Sequence, residues 1–254
     1  MDSAIQSILF SARKKLSDIK NDFINNMTHE FKTPIATISL ATDAVNSPAI
    51  SKNTESVHRY MNIIKEENQR MHKHVENILQ LALFDRKHIN LNLVEFDIHE
   101  MIQKAIEQIK LQVEVKGGKI ETNLNAAQHQ MLGDYDFIFN SIINLLDNAI
   151  KYTPENPIIS INTENIQNNI RILISDNGIG MSREVQKNIF EKFYRAGTGN
   201  IHDVKGYGIG LSIVKAIALA HHGEIKVLKS IKDVGTTMEF LLPLNLRKAK
   251  RKHN

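Results

Sequence analysis

His29 is followed at once by Glu30, and four residues later by Thr33 and then Pro34. With Ile24 and Phe31 at the a positions of a heptad, His29 falls at f and points away from any partner helix. A neutral imidazole is a nucleophile near neutral pH through one ring nitrogen if the other keeps its proton, and Glu30 can hold that proton by hydrogen bonding. His29 is therefore a candidate phosphoryl acceptor. Thr33, at i+4, shares the outward surface and can orient a water there; its alternative role is to precede Pro34, whose missing amide should bend the helix just after the histidine. The plain alternative for His29 itself is a surface histidine beside a glutamate.

A second set of residues has the chemistry of a magnesium nucleotide site. Asn140, Asn144, Asn148 and Lys151 recur at helical spacing along one stripe. Amide oxygens can ligate Mg²⁺ or its waters while lysine neutralises phosphate; a solvated polar face is the other reading. Asp176-Asn177-Gly178-Ile179-Gly180 follows an apolar strand, placing a carboxylate at a strand end, where it can read an exocyclic amine, and glycines in a tight turn. A calcium loop is set aside because the next alternate ligand position is Gly178. Gly206-Tyr207-Gly208-Ile209-Gly210 opens a helix continuing through Leu211, so bare amides at its positive end can surround phosphate oxygens. No strand precedes these glycines, which excludes a dinucleotide-binding turn. Residues 194–205 read as a lid hinged at Gly197 and Gly199, or as an ordinary surface loop.

These residues need elements to hold them. From Ile5 to Arg86 there is no glycine. Ile24, Phe31, Ile38 and Val45 alternate with Met27, Pro34 and Ala41, and Val57, Ile64, Met71 and Ile78 with Met61, Asn68, Val75 and Ala82. The polar break from Asn46 to Thr54 separates the two runs, so a helical hairpin is predicted, and pairing of two hairpins into a four-helix bundle is its cheapest completion. Beyond Asn90, strands are predicted at 91–96, 119–124, 158–163, 170–175, 224–228 and 237–242. Helices are predicted near 98–113, 135–152, 182–190 and 209–221. The whole is an α + α/β chain: a hairpin, then an α/β sandwich with helices on one face of a mixed sheet.

The chain has 254 residues, 42% of them apolar, which excludes disorder throughout. With no cysteine there is no disulfide framework or thiolate metal site, and a reducing cytoplasm is the natural compartment. Much of the net charge of +4 sits in the tail from Arg247 to Lys252, which lacks interleaved aromatics, so no nucleic-acid partner is expected. No apolar run is long enough to cross a bilayer, so a soluble, cytoplasmic chain is expected. Met1 need not be a natural start, which leaves room for an upstream segment anchoring a longer protein in the inner membrane. His72 with His74, and His221 with His222, are spaced wrongly for a same-face metal pair and are given no chemistry.

Taken together, the segments resemble the catalytic core of a sensor histidine kinase of two-component systems. Thr28-His29-Glu30-Phe31-Lys32-Thr33-Pro34 is similar to that family's H box, and Asn144 through Tyr152 to its N box. Asp176 to Gly180 and Gly206 to Gly210 are similar to its two glycine boxes, and Phe190 to Arg195 to its F box; Gly235-Thr236-Thr237 completes the set. The resemblance implies a dimerisation and histidine-phosphotransfer hairpin over 1–88, a gyrase-like, Bergerat-type ATP-binding domain over 89–246, and a basic tail over 247–254. It implies a homodimer, ATP and Mg²⁺ as cofactors, and a response regulator as partner, whose aspartate would take the phosphoryl group from His29. It also implies that Asn148 ligates Mg²⁺ with Asn144 and Lys151 near the phosphates, that Tyr152 lies against adenine and that Asp176 reads its amino group. Gly178, Gly180, Gly206, Gly208, Gly210, Leu211 and Thr236 would shape the rest of the nucleotide site, and Thr33 would serve a phosphatase activity toward the regulator. A conformational ATPase on the same sandwich is the rival, and the H-box-like segment argues against it.

Overall fold

The computed structural model describes residues 24, 27–28, 31–84, 90–194 and 208–246, and the chain divides into two compact units, Met1–Asp85 and Arg86–Asn254. His29, Glu30, Gly206, the proposed lid hinges and the basic tail lie outside the described residues.

In the first unit, helix α1 runs unbroken over residues 31–46, and residues 24, 27 and 28 are helical as well. Its d positions Met27, Pro34 and Ala41 are buried, whereas Phe31, Ile38 and Val45 are half-buried and Ile24 is half exposed. A turn over 47–52 leads to α2 (Thr54–Phe84). Asn53 starts that helix by accepting the Ser56 amide on its side chain (3.1 Å), which satisfies one of the free amides of the first turn. Along α2, Val57, Ile64 and Met71 are half-buried, while Met61 (53%) and Val75 (44%) stay exposed beside Asn68. One hairpin covers one seam of α2 and leaves the other open.

The second unit begins with β1 (Leu93–Asp97), α3 (Ile98–Val115), β2 (Lys119–Leu124), β3 (Gln130–Asp134) and α4 (Tyr135–Lys151). It continues with β4 (Ile158–Ile166), β5 (Asn169–Asp176), α5 (Arg183–Asn188), α6 (Gly210–Ala220), β6 (Glu224–Ile231) and β7 (Gly235–Pro243). Five strands form one mixed sheet in the order β2-β4-β5-β7-β6, with β2 and β4 parallel and the other pairs antiparallel. In β5, Ile170, Ile172 and Ile174 are buried at alternate positions, the period-2 pattern of a sheet with one covered face. That face meets Ile102, Ala105 and Ile109 of α3, Ile138, Ile142, Leu145 and Leu146 of α4, and Val214 of α6 in one core.

The sequence reading omitted β3, and it gave β1 no sheet of its own. These two strands pair antiparallel as a separate ribbon, Leu93 opposite Asp134 and Asp97 opposite Gln130. Five residues containing Gly133 carry too little periodicity to register, and the ribbon's order comes from partners distant in sequence. Asp134 shows this. Its carboxylate caps α4 through the Phe137 amide (3.1 Å) and accepts the Asn92 amide (2.8 Å). Its own amide donates to Nε2 of buried His221 (3.0 Å), whose Nδ1 donates to the Ile217 carbonyl (2.8 Å). Burial lowers the His221 pKa, against the pull of the Ile217 carbonyl, so this histidine is a neutral structural residue.

Candidate functional site

Helix α4 supplies the floor of the site because its two faces differ. Ile142, Leu145, Leu146, Ala149 and Ile150 are buried in the core, while Asn144, Asn148 and Lys151 are half-buried along the opposite side, as an amphipathic helix requires. The Asn144 amide donates to the Asn140 carbonyl (3.0 Å) and its Oδ1 lies 3.1 Å from where a Cβ on Gly210 would sit. This contact seats the first turn of α6 on the asparagine stripe. Asn148 makes no side-chain hydrogen bond among the described residues, leaving its carboxamide available to a ligand. Its backbone carbonyl accepts the Tyr152 amide (2.9 Å) as α4 ends. Tyr152 is exposed, with Lys151 Nζ 5.2 Å from its ring centroid.

The loop after β5 is fastened to that helix end. The Ile179 amide donates to the Tyr152 carbonyl (3.0 Å), and a side chain on Gly178 would collide with the same carbonyl. Gly180 has a φ of +61° and faces the Ile231 carbonyl so closely that only glycine fits. Asp176 closes the loop. Its Oδ1 accepts the amides of Gly178 (2.9 Å) and Thr236 (3.2 Å), joining the turn to β7, while its Oδ2 takes no hydrogen bond among the described residues. Burial raises the Asp176 pKa above the usual carboxylate range, and the two amides oppose that rise. A half-covered carboxylate with one oxygen fixed and the other open is the acceptor an exocyclic amine requires. Thr236 is buried, and its hydroxyl is paired with Ser230 (2.9 Å).

At the far side of the site, Gly208 has a φ of +67° and Ile209 caps α6 with no side-chain hydrogen bond, so among the described residues the first-turn amides are left for another acceptor. Leu211 is half-buried against the core. The structure thus gathers Asn144, Asn148, Lys151, Tyr152, Asp176, Gly178, Gly180, Gly208, Gly210, Leu211 and Thr236 around α4 and its two neighbouring turns. In the hairpin, Thr33 is exposed on α1.

Sequence reasoning missed Lys116. It stands at the C-cap of α3, and its ammonium donates to the carbonyls of Ile150 (2.8 Å) and Thr153 (2.9 Å), the free acceptors at the end of α4. A lysine just before Gly117-Gly118 at a helix end was the signal available. Asn177 was read only as part of a turn. Its Oδ1 accepts the Ile158 amide (2.7 Å) and holds the start of β4 against that turn. Lys116→Met keeps the apolar stem and removes both charge-assisted bonds, each worth about 1.5–3 kcal/mol. ATP affinity measured by equilibrium dialysis is expected to fall about tenfold as Tyr152 and the Asp176 loop lose their anchor. Wild-type affinity at a lowered Tm would leave Lys116 with a stability role only.

Comparison with known proteins agrees with this geometry. The family profile described as "Histidine kinase-, DNA gyrase B-, and HSP90-like ATPase" matches residues 133–246, and "His Kinase A (phospho-acceptor) domain" matches residues 19–87. The sensor protein RprX of Bacteroides fragilis is 44% identical over 234 residues, covering 91% of this chain and 45% of RprX. The chain spans about half the length of the curated relatives it matches. Two solved structures share the fold. ShkA in complex with AMPPNP has a TM-score of 0.66 at 22% identity, over 85% of this chain and 44% of that one. ThkA in complex with the response regulator TrrA has a TM-score of 0.62 at 24% identity, over 93% and 65%. With an acceptor-type helical hairpin, a nucleotide-type sandwich and relatives matched across both, this chain belongs to the sensor histidine kinases of two-component systems.

Proposed function

We propose that this chain phosphorylates itself on His29 from ATP and passes the phosphoryl group to an aspartate of a response regulator. The observation that carries the nucleotide half is the Asp176 carboxylate, half-buried, fixed on one oxygen and open on the other, beside an α4 floor that also meets the first turn of α6. Asn148 would hold Mg²⁺, which supplies charge neutralisation for the triphosphate. A neutral His29 ring nitrogen attacks the γ-phosphorus, the bond to the β–γ bridging oxygen breaks, and ADP departs with that electron pair. The proton on the other ring nitrogen stays, held by Glu30. A regulator aspartate oxygen then displaces the histidine nitrogen, which restores neutral imidazole.

The open seam of α2, with Met61 and Val75 exposed, and the groove lined by Ile35, Ile38, Met71 and Val75 favour a homodimer through the hairpin. Residues 1–88 are the dimerising part in this reading and 89–246 the catalytic part. Anchoring in the inner membrane belongs to the same reading of a longer protein; among the described residues no helix is long and apolar enough to cross a membrane. Incubation with γ-labelled ATP and magnesium separates this function from a conformational ATPase. A kinase takes label in a bond that acid breaks and base spares, whereas an ATPase releases phosphate and stays unlabelled.

Thr33 carries the phosphatase reading. Thr33, an exposed residue four positions after His29, would orient a water at a docked aspartyl phosphate, where positioning matters more than a new base because the acyl phosphate is already activated. Thr33→Ala should keep His29 labelling and slow phosphate release from the phosphorylated regulator about tenfold or more. Unchanged release would make Thr33 a structural residue.

A further inference from the structure

Away from the nucleotide site, at the joint of the β1–β3 ribbon and the start of α3, two imidazoles and a carboxylate converge. One potential ligand atom from each of Asp97, His99 and His129 lies within 4.8 Å of the other two. The rings of His99 and His129 are stacked, centroids 4.6 Å apart and planes 9° from parallel. Each group is held from behind. Asp97 Oδ1 accepts the amides of His99 (2.8 Å) and Glu100 (3.3 Å), and its Oδ2 pairs with His129 Nδ1 (2.8 Å) and accepts from Gln130 Nε2 (2.9 Å). His99 Nε2 pairs with the hydroxyl of buried Thr163 (2.9 Å), and the Ile98 amide donates to the His129 carbonyl (3.0 Å).

We propose that Asp97, His99 and His129 form a binding site for a divalent transition cation of the Zn²⁺ class. Two imidazoles with one carboxylate suit zinc, copper or nickel, whereas magnesium prefers an all-oxygen shell with several waters. The Thr163 hydroxyl behind His99 is the kind of outer partner that supports a metal-ligating imidazole. Tetrahedral zinc at about 2.0–2.2 Å from each ligand spaces them about 3.3 Å apart. The cluster needs to close by less than the width of an atom, through a turn of the partly exposed His129 ring out of the stack. Waters complete the shell. The three ligands come from the end of β1, the first turn of α3 and the residue before β3, so a bound cation would staple these elements. Through α3 it would bear on α4, against which α3 packs.

The test uses the full chain, stripped with EDTA, dialysed, and titrated calorimetrically with zinc chloride in the absence of nucleotide. One cation per chain at this site is expected, with a Tm rise of several degrees at saturation, reversed by EDTA, and no such rise with magnesium alone. His129→Gln and Asp97→Asn should each weaken binding about tenfold or more; the second keeps a side chain able to cap α3, so it remains folded. Zinc-dependent shifts of the His99 and His129 imidazole protons in the wild-type NMR spectrum give the same answer without substitution. Absence of binding, or binding unchanged in both variants with no shift of these two rings, overturns the proposal and assigns any remaining affinity to other histidines among the eleven in the chain.

Discussion

His29→Gln is expected to bind ATP with wild-type affinity and to take up no acid-labile label. The two properties separate because the hairpin carrying His29 and the sandwich carrying Asp176 and Asn148 are distinct compact units. Glutamine retains a polar side chain of similar reach and has a good helix propensity, so the hairpin is expected to be preserved. Its amide has no nucleophilic lone pair at neutral pH, so the P–N bond cannot form. Labelling should fall to background, the largest effect of any single substitution considered. Acid-labile label retained at more than background would remove His29 from the role of acceptor.

Asn148→Ala should lose metal-dependent labelling while the domain stays folded. The side chain makes no hydrogen bond among the described residues, and alanine has the highest helix propensity, so α4 and its buried face are spared. What is lost is an amide oxygen on the asparagine stripe, one turn from where Gly210 at the start of α6 approaches Asn144. Metal stabilisation of phosphoryl transfer is worth several kcal/mol, so the labelling rate is expected to drop on the order of a hundredfold or more. Asn148→Asp is a weaker probe, since a carboxylate still binds magnesium. Wild-type rates in Asn148→Ala, with unchanged circular dichroism, would take the metal away from this residue.

The candidate site was legible in the sequence wherever a residue type and its spacing both carried meaning. The stripe of Asn144, Asn148 and Lys151 declared its face because the complementary face is apolar at the same helical period. Asp176 declared itself by standing between an alternating strand and two glycines, and Met27, Pro34 and Ala41 gave the d positions that prove buried. Pairings across long sequence separations were not legible. The order β2-β4-β5-β7-β6 depends on one parallel neighbour reached from a distance, and β3 exists because β1 and His221 complete its hydrogen bonds. Lys116 escaped for the same reason: its acceptors, the carbonyls of Ile150 and Thr153, are backbone groups that no residue type advertises. The Asp97, His99 and His129 cluster is scattered over three segments, and only the antiparallel register of β1 and β3 brings it together.

The most direct measurement is to locate the phosphoryl group itself. The full chain is incubated with ATP and magnesium, kept at alkaline pH, digested, and sequenced by electron-transfer fragmentation mass spectrometry. With eleven histidines in the chain, the position is informative. One phosphoryl group per labelled chain is expected, on the peptide containing His29, lost on brief acid treatment and absent without magnesium. A phosphoryl group on any other residue, or stoichiometric release of inorganic phosphate with His29 unmodified, would contradict it.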